Sequence, residues 1–155
     1  MIKDIEFFLK RTFLSEKYLL KKRLKRSIEN KYEKELSITS NFKDLTKDAI
    51  DIGVYRGVYS YKLSNEFNHI HSFEPNPLVF PYLKKNLTKI ISNMTIKNYA
   101  ISSSNGFVDL RVPSRSKSLF KENIEEIYKL GCATIHPTNN FEQYDTFKVE
   151  KKKLD

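Results

Sequence analysis

Ala49-Ile50-Asp51-Ile52-Gly53-Val54-Tyr55-Arg56-Gly57 is the stretch whose reading decides the fold. A short apolar run is broken by one acid and closed by a glycine. That pattern reads as a buried parallel strand. Gly53 lets the chain turn sharply at the strand's end. Gly57 lets a ligand, or the facing strand, come close to the start of the next element, which reads as a helix over residues 57–65. Further along, Ile70 to Phe73 reads as a second strand with Glu74 at its C-terminal end. Asn76 is expected to cap a helix with Pro77 at its first position, where a missing N–H costs nothing. That helix should reach about Leu87, with Leu78, Tyr82 and Leu83 turned inward. Met94 to Asn98 is a third strand. Strand–helix–strand–helix–strand implies an α/β fold with a parallel sheet and right-handed crossovers.

Upstream, residues 1–34 contain no Gly or Pro. Apolar residues recur at Ile2, Ile5, Phe8, Leu9 and Phe13, then at Leu20, Leu24 and Ile28, which reads as a helix. Ser37 to Thr46 reads as a polar connection. Downstream, Ser102 to Gly106 is a turn and Phe107 to Val112 alternates as a strand. Residues 118–130 read as a helix, with Leu119, Ile124, Ile127 and Tyr128 on its apolar face. Cys132 to Ile135 and Thr146 to Val149 are candidate strands. The chain thus divides into a basic helical segment, 1–36, and an α/β unit, 45–155.

Composition narrows the function classes. Hydrophobic residues make up 39% of the 155-residue chain, enough for a packed core. No apolar run is long enough to span a membrane, and the N-terminus lacks the layout of a secretory signal. The single cysteine, Cys132, excludes an intrachain disulfide framework. A reducing, cytoplasmic setting is the expectation. The formal net charge is +9, and residues 1–34 supply +6 of it, with 11 Lys/Arg against 5 acids. The basic character therefore belongs mainly to that segment.

The constellation that carries chemistry is the glycine loop with Glu74. Open parallel sheets bind ligands at the carboxyl ends of their strands. Glu74 lies 23 residues beyond Asp51, at the end of the second strand. A carboxylate there accepts two hydrogen bonds from a vicinal diol, as in the ribose of an adenosine-containing ligand. The Gly-x-x-x-Gly spacing, filled by bulky Val54, Tyr55 and Arg56, differs from the G-x-G-x-x-G that cradles a pyrophosphate. No phosphate-loop Lys-Ser/Thr follows. A ligand without phosphate fits better, and S-adenosylmethionine is the common one.

Residues 49–60, then His71-Ser72-Phe73-Glu74-Pro75-Asn76-Pro77, then Asn98-Tyr99-Ala100-Ile101-Ser102 resemble the FkbM-type S-adenosylmethionine-dependent methyltransferases. Phe73-Glu74-Pro75-Asn76-Pro77 is the most specific piece, and the resemblance covers residues 45–155. It implies a Rossmann-like class I methyltransferase sheet preceded by the basic helix. It also implies that Asp51, Gly53 and Gly57 border the methionine end of the cofactor, and Tyr55, inside the same loop, is counted with the cofactor-binding residues. Glu74 would bind the ribose, and Pro75, Asn76 and the Asn98–Ala100 turn would border the adenine. The implied activity is O-methylation of a small-molecule or glycan acceptor. Val54-Tyr55 departs from the Ala-Asn often found in the family. The family also continues past a Leu-Asp like Leu154-Asp155 into an Asp-Val-Glu-Gly strand, so the sheet is expected to be incomplete at the C-terminus. An exposed sheet edge would then favour a homodimer.

Other residues have plainer readings beside their chemical ones. His136 and Asp145 qualify as a general base by residue type alone, so no catalytic residue is assigned. His69 and His71 share one strand face, but no carboxylate cluster accompanies them. Strand-edge histidines are the expectation, and no metal site is assigned. Cys132 reads as a small buried residue. Arg56 reads as a solvated loop residue, with contact to the cofactor carboxylate as the alternative. The basic run 20–26 reads as a solvated face whose apolar side packs on the domain or a partner. Nucleic acid or an anionic membrane is its alternative partner. Outside that run there is no basic–aromatic interleaving of the kind that binds RNA. Two alternatives to the enzyme remain: an inactive fragment acting as an interaction module, and a nucleic-acid-binding protein using residues 1–34.

Overall fold

The computed structural model describes residues 15–29, 34–113, 133–136 and 143–154. A helix, α1 (Glu16–Glu29), is followed by a 3₁₀ helix (Lys34–Phe42). Then come β1 (Ala49–Ile52), α2 (Val58–Leu63), β2 (Ile70–Phe73), α3 (Phe80–Leu87) and β3 (Met94–Lys97). β4 (Ala100–Ser102), β5 (Gly106–Pro113) and β6 (Tyr144–Lys153) complete the described elements. The molecule is thus of mixed α/β content with a parallel three-stranded sheet, as expected.

β1, β2 and β3 lie side by side in sequence order, all parallel, with Asp51 opposite Ser72 and Ser72 opposite Ile96. A helix carries each crossover. The helix-facing side holds Asp51, Ile70, Ser72 and Met94, all buried. Leu83 and Leu87 of α3 and Val58, Tyr61 and Leu63 of α2 pack in the same core. The opposite side differs from the fully covered strand that the sequence suggests. Ile50 is 48% exposed and Ile52 58%, because no described element covers β1 on that face.

β4, β6 and β5 form a second sheet, with β6 central, parallel to β4 and antiparallel to β5. Strand alternation turns Leu110, Val112 and Val149 inward, where they join the core of the first sheet. The β5 strand and the Ser103–Asn105 turn agree with the sequence reading. The β6 strand is longer than the predicted Thr146–Val149, and β4 was not predicted.

Several expectations are corrected. Residues 37–42 belong to a 3₁₀ helix rather than a polar connection, because Leu36 anchors it in the core. Glu66 also accepts hydrogen bonds from Thr39 and Ser40 at 2.8 and 2.7 Å. Asn76 does not cap α3 directly. Its side chain accepts from the Leu78 amide at 3.0 Å, making a turn before a helix that starts at Phe80. That offset turns Leu83, Leu87 and Val79 inward, leaving Leu78 and Tyr82 exposed. Thr134 makes an isolated antiparallel bridge to Arg111, not a strand. The predicted helix at 118–130, Cys132 and residues 1–14 lie outside the described residues.

α1 presents Leu20 and Leu24 to the core and lies against α2. Its Lys17, Lys21, Lys22, Arg23, Lys25 and Arg26 are all exposed. Its apolar stripe is therefore spent on packing. Among the described residues, no helix is long and apolar enough to cross a membrane.

Candidate functional site

The loop after β1 is built from backbone conformations that few sequences tolerate. Gly53, Tyr55 and Gly57 have φ of 83°, 48° and 76°. Glycine adopts this region freely, whereas tyrosine does so at a cost of about 1–2 kcal/mol. The loop is pinned on both sides. The Gly53 amide donates to the Phe73 carbonyl at 2.8 Å, and the Gly57 amide to the Val54 carbonyl at 2.7 Å.

The strain at Tyr55 has a use. Its amide donates to Glu74 Oε2 at 2.8 Å, while the Asn76 amide donates to Oε1 at 2.9 Å. Each carboxylate oxygen of Glu74 thus holds one backbone N–H and keeps further acceptor capacity. Glu74 itself is set by β2, its amide donating to the Lys97 carbonyl of β3 at 3.0 Å. Asn98 closes the corner, its side-chain amide donating to the Glu74 carbonyl at 2.7 Å. Burial pushes the Glu74 carboxyl above its ordinary pKa; the two amide bonds oppose that shift, and the Asp51 charge adds to it.

A cleft opens at the carboxyl ends of β1 and β2. Gly53, Tyr55, Glu74, Pro75, Val79, Leu110 and Ala133 line it. Its empty space is about 380 Å³, open solvent at the mouth included. A side-chain carbon at Gly53 would meet nothing within 4 Å, so the space above that glycine is open. Val79, Leu110, Pro75 and Ala133 give the lining its apolar side, and the Glu74 carboxylate and the loop backbone its polar one.

The nine sequence-derived residues separate into groups. Gly53, Tyr55, Glu74 and Pro75 line the cleft. Asn76 and Asn98 act behind it, holding Glu74 in place. Asp51 is buried under α2, where Ser60 Oγ donates to its Oδ2 at 2.5 Å and lies 3.0 Å from Ser72 Oγ. Gly57 serves packing: a side-chain carbon there would come within 2.5 Å of Leu87 Cδ1. The element approaching Gly57 is therefore α3, rather than a ligand or a facing strand. Ala100 is buried in β4, opposite Lys151. Val79, Leu110 and Ala133 were missed. Nothing near Leu110 or Ala133 in sequence signals a ligand; the second sheet brings Leu110 there, and the Thr134–Arg111 bridge brings Ala133.

The remaining candidates lie apart from the cleft lining. His136 is exposed, its amide donating to Thr134 Oγ1 at 3.1 Å. Asp145 sits on β6 opposite Val112. His71 Nε2 lies 2.9 Å from Asp48, and His69 Nε2 lies 3.2 Å from Thr95 Oγ1. Among the described residues, no group of three or more His, Cys, Asp or Glu is placed to hold a metal ion. Arg56, expected as a solvated loop residue, is half-buried, and its guanidinium lies 5.5 Å from the centre of the Tyr55 ring. No family model, no curated protein and no solved structure matches this chain.

Proposed function

We propose that this chain is a Rossmann-like, S-adenosylmethionine-dependent methyltransferase domain acting on a hydroxyl of a small-molecule or glycan acceptor. The observation that carries the reading is Glu74. Its carboxylate stands at the carboxyl end of β2, inside a cleft, with both oxygens oriented by backbone amides. A vicinal diol donates two hydrogen bonds, and a carboxylate so held can accept both without rearranging. Val79, Pro75 and Leu110 offer apolar walls for an adenine ring. The open space above Gly53 leaves room for the rest of the cofactor.

The cofactor supplies an activated sulfonium methyl group. The protein's part is to align the acceptor hydroxyl with that methyl group and to keep bulk water from the sulfonium. Glu74 orients and does not take part in proton transfer. Tyr55 and Gly53 shape the floor along which the methyl-bearing end would lie. The FkbM resemblance of residues 45–155 and the glycine loop support the same assignment.

Calorimetric titration with S-adenosylmethionine and S-adenosylhomocysteine tests it, with Glu74→Ala as the variant. Saturable binding that the variant loses while its circular dichroism is unchanged supports the reading. A folded wild-type protein that binds neither compound overturns it.

A further inference from the structure

The outward face of the β4–β6–β5 sheet gathers residues that are far apart in sequence. From β5 it carries Phe107, Asp109 and Arg111. From β6 it carries Tyr144, Lys148, Glu150 and Lys152, the alternation being fixed by the pairing of Phe107 with Glu150 and Asp109 with Lys148. Tyr99, just before β4, joins the same face through Lys152, whose register partner is Ile101. Each cation on the face lies over one ring. Arg111 is 5.0 Å from the Tyr144 ring centre, Lys148 is 5.4 Å from Phe107, and Lys152 is 4.9 Å from Tyr99.

Phe107 is 65% exposed and Tyr144 42%. Both rings could have been replaced by polar side chains without loss to the core, which lies on the other side of the sheet. A sheet face that repeats ring-plus-cation units presents two features at once. The rings offer stacking surfaces, and the cations offer partners for anions spaced along a chain. An anionic vesicle would take up the cations and a ring at its interface, but it offers no flat groups that alternate with its charges along a chain. A single-stranded nucleic acid uses both, its bases stacking on the rings and its phosphates taking the cations. The face itself carries Arg111, Lys148 and Lys152 against Asp109 and Glu150, a small positive excess that favours a polyanion.

We propose that this sheet face binds single-stranded nucleic acid, with Phe107 and Tyr144 as stacking platforms and Arg111, Lys148 and Lys152 as phosphate contacts; Tyr99, whose ring packs 5.2 Å from that of buried Phe73, positions Lys152. Glu150 is the built-in competitor. It holds Lys152 in an ion pair at 3.1 Å and stands opposite Phe107, so a bound phosphate must displace it. The face is independent of the cofactor reading, because Leu110, which lines the cleft, projects from the opposite side of β5.

Fluorescence anisotropy with a short labelled oligothymidylate, over a range of salt concentrations, tests the proposal. Binding is expected at low salt and should weaken as salt rises. Phe107→Ala and Tyr144→Ala should each weaken it roughly ten-fold, while Phe107→Tyr keeps it. Lys148→Ala should reduce the salt slope by about one, and Glu150→Gln should tighten binding. No binding at low salt by folded wild-type protein overturns the proposal. So does binding that survives both ring substitutions, that weakens with Glu150→Gln, or that responds only to Lys21→Ala and Lys25→Ala on α1.

Discussion

The Tyr55 amide donates to Glu74 Oε2 across 2.8 Å, and it can do so because Tyr55 is held at φ 48°. A left-handed tyrosine is unfavourable by itself, so the contact with a buried carboxylate compensates for local strain. The two halves of the motif, 19 residues apart, are thereby locked into one cradle.

Cofactor affinity should depend on the charge of Glu74. The carboxylate accepts hydrogen bonds from a diol, and protonation turns one acceptor into a donor. Because burial raises its pKa in the folded protein, affinity should fall as pH drops through that raised value, above the ordinary glutamate range. Glu74→Gln should bind more weakly, by roughly 1.5–3 kcal/mol, and show a flat profile over the same window. Calorimetry at several pH values separates the two proteins. A wild-type profile as flat as that of the variant would exclude Glu74 as the ligand's acceptor.

Gly53 and Gly57 should respond differently to alanine. Both have positive φ, so each substitution carries a backbone cost of about 1–2 kcal/mol. At Gly53 the added carbon enters open space. At Gly57 it collides with Leu87, adding an overpacking cost of about 1–3 kcal/mol. Urea unfolding of the two variants should rank Gly57→Ala as the less stable. Equal stabilities would show that α3 yields at Leu87.

Glu66 should tie stability to acid. Burial works against its charge, but hydrogen bonds from Lys62, Ser40 and Thr39 outweigh burial and lower its pKa. A lowered folded value means that its contribution is complete above the unfolded pKa and is lost as pH falls through the folded one. Glu66→Ala should therefore destabilise the protein by about 1–3 kcal/mol near neutral pH, and by less in acid. Denaturant midpoints at both conditions check this. A deficit that does not shrink in acid would assign the effect to packing.

α1 is expected to be part of the folding unit. Leu24 is 2% exposed within the common core, so Leu24→Ala should cost about 2–5 kcal/mol. Lys21→Ala or Lys25→Ala, both on the exposed side, should change stability by less than about 0.5 kcal/mol. Thermal melts of the three variants decide it. A harmless Leu24→Ala would mean that α1 folds apart from the sheet.

β1 pairs with β2 alone among the described strands, and its Ile50 and Ile52 are exposed beside that open edge. Such an edge promotes self-association. Light scattering should therefore show association that grows with concentration and is suppressed by Ile52→Lys. A monodisperse monomer at high concentration would refute this.

The sequence by itself determined the local elements and the motif. β1, β2 and β3 were legible because short β-branched and apolar runs end at turn residues. The glycine loop was legible because positive φ narrows the choice of residue to a few types. Glu74 was legible because its distance from Asp51 fits one βαβ unit. What only the tertiary structure decided depends on contacts between distant segments. Asp51, read as a cofactor residue, is held under Ser60, because strand alternation turns it to the helix-covered face. Leu110 and Ala133 line the cleft although neither lies near the motif. The rings of Tyr99, Phe107 and Tyr144 meet cations that no local pattern would pair with them, since the register of strand pairing, not sequence spacing, sets which side chains are neighbours. Local chemistry is encoded residue by residue; the partners of each side chain emerge only when the sheets close.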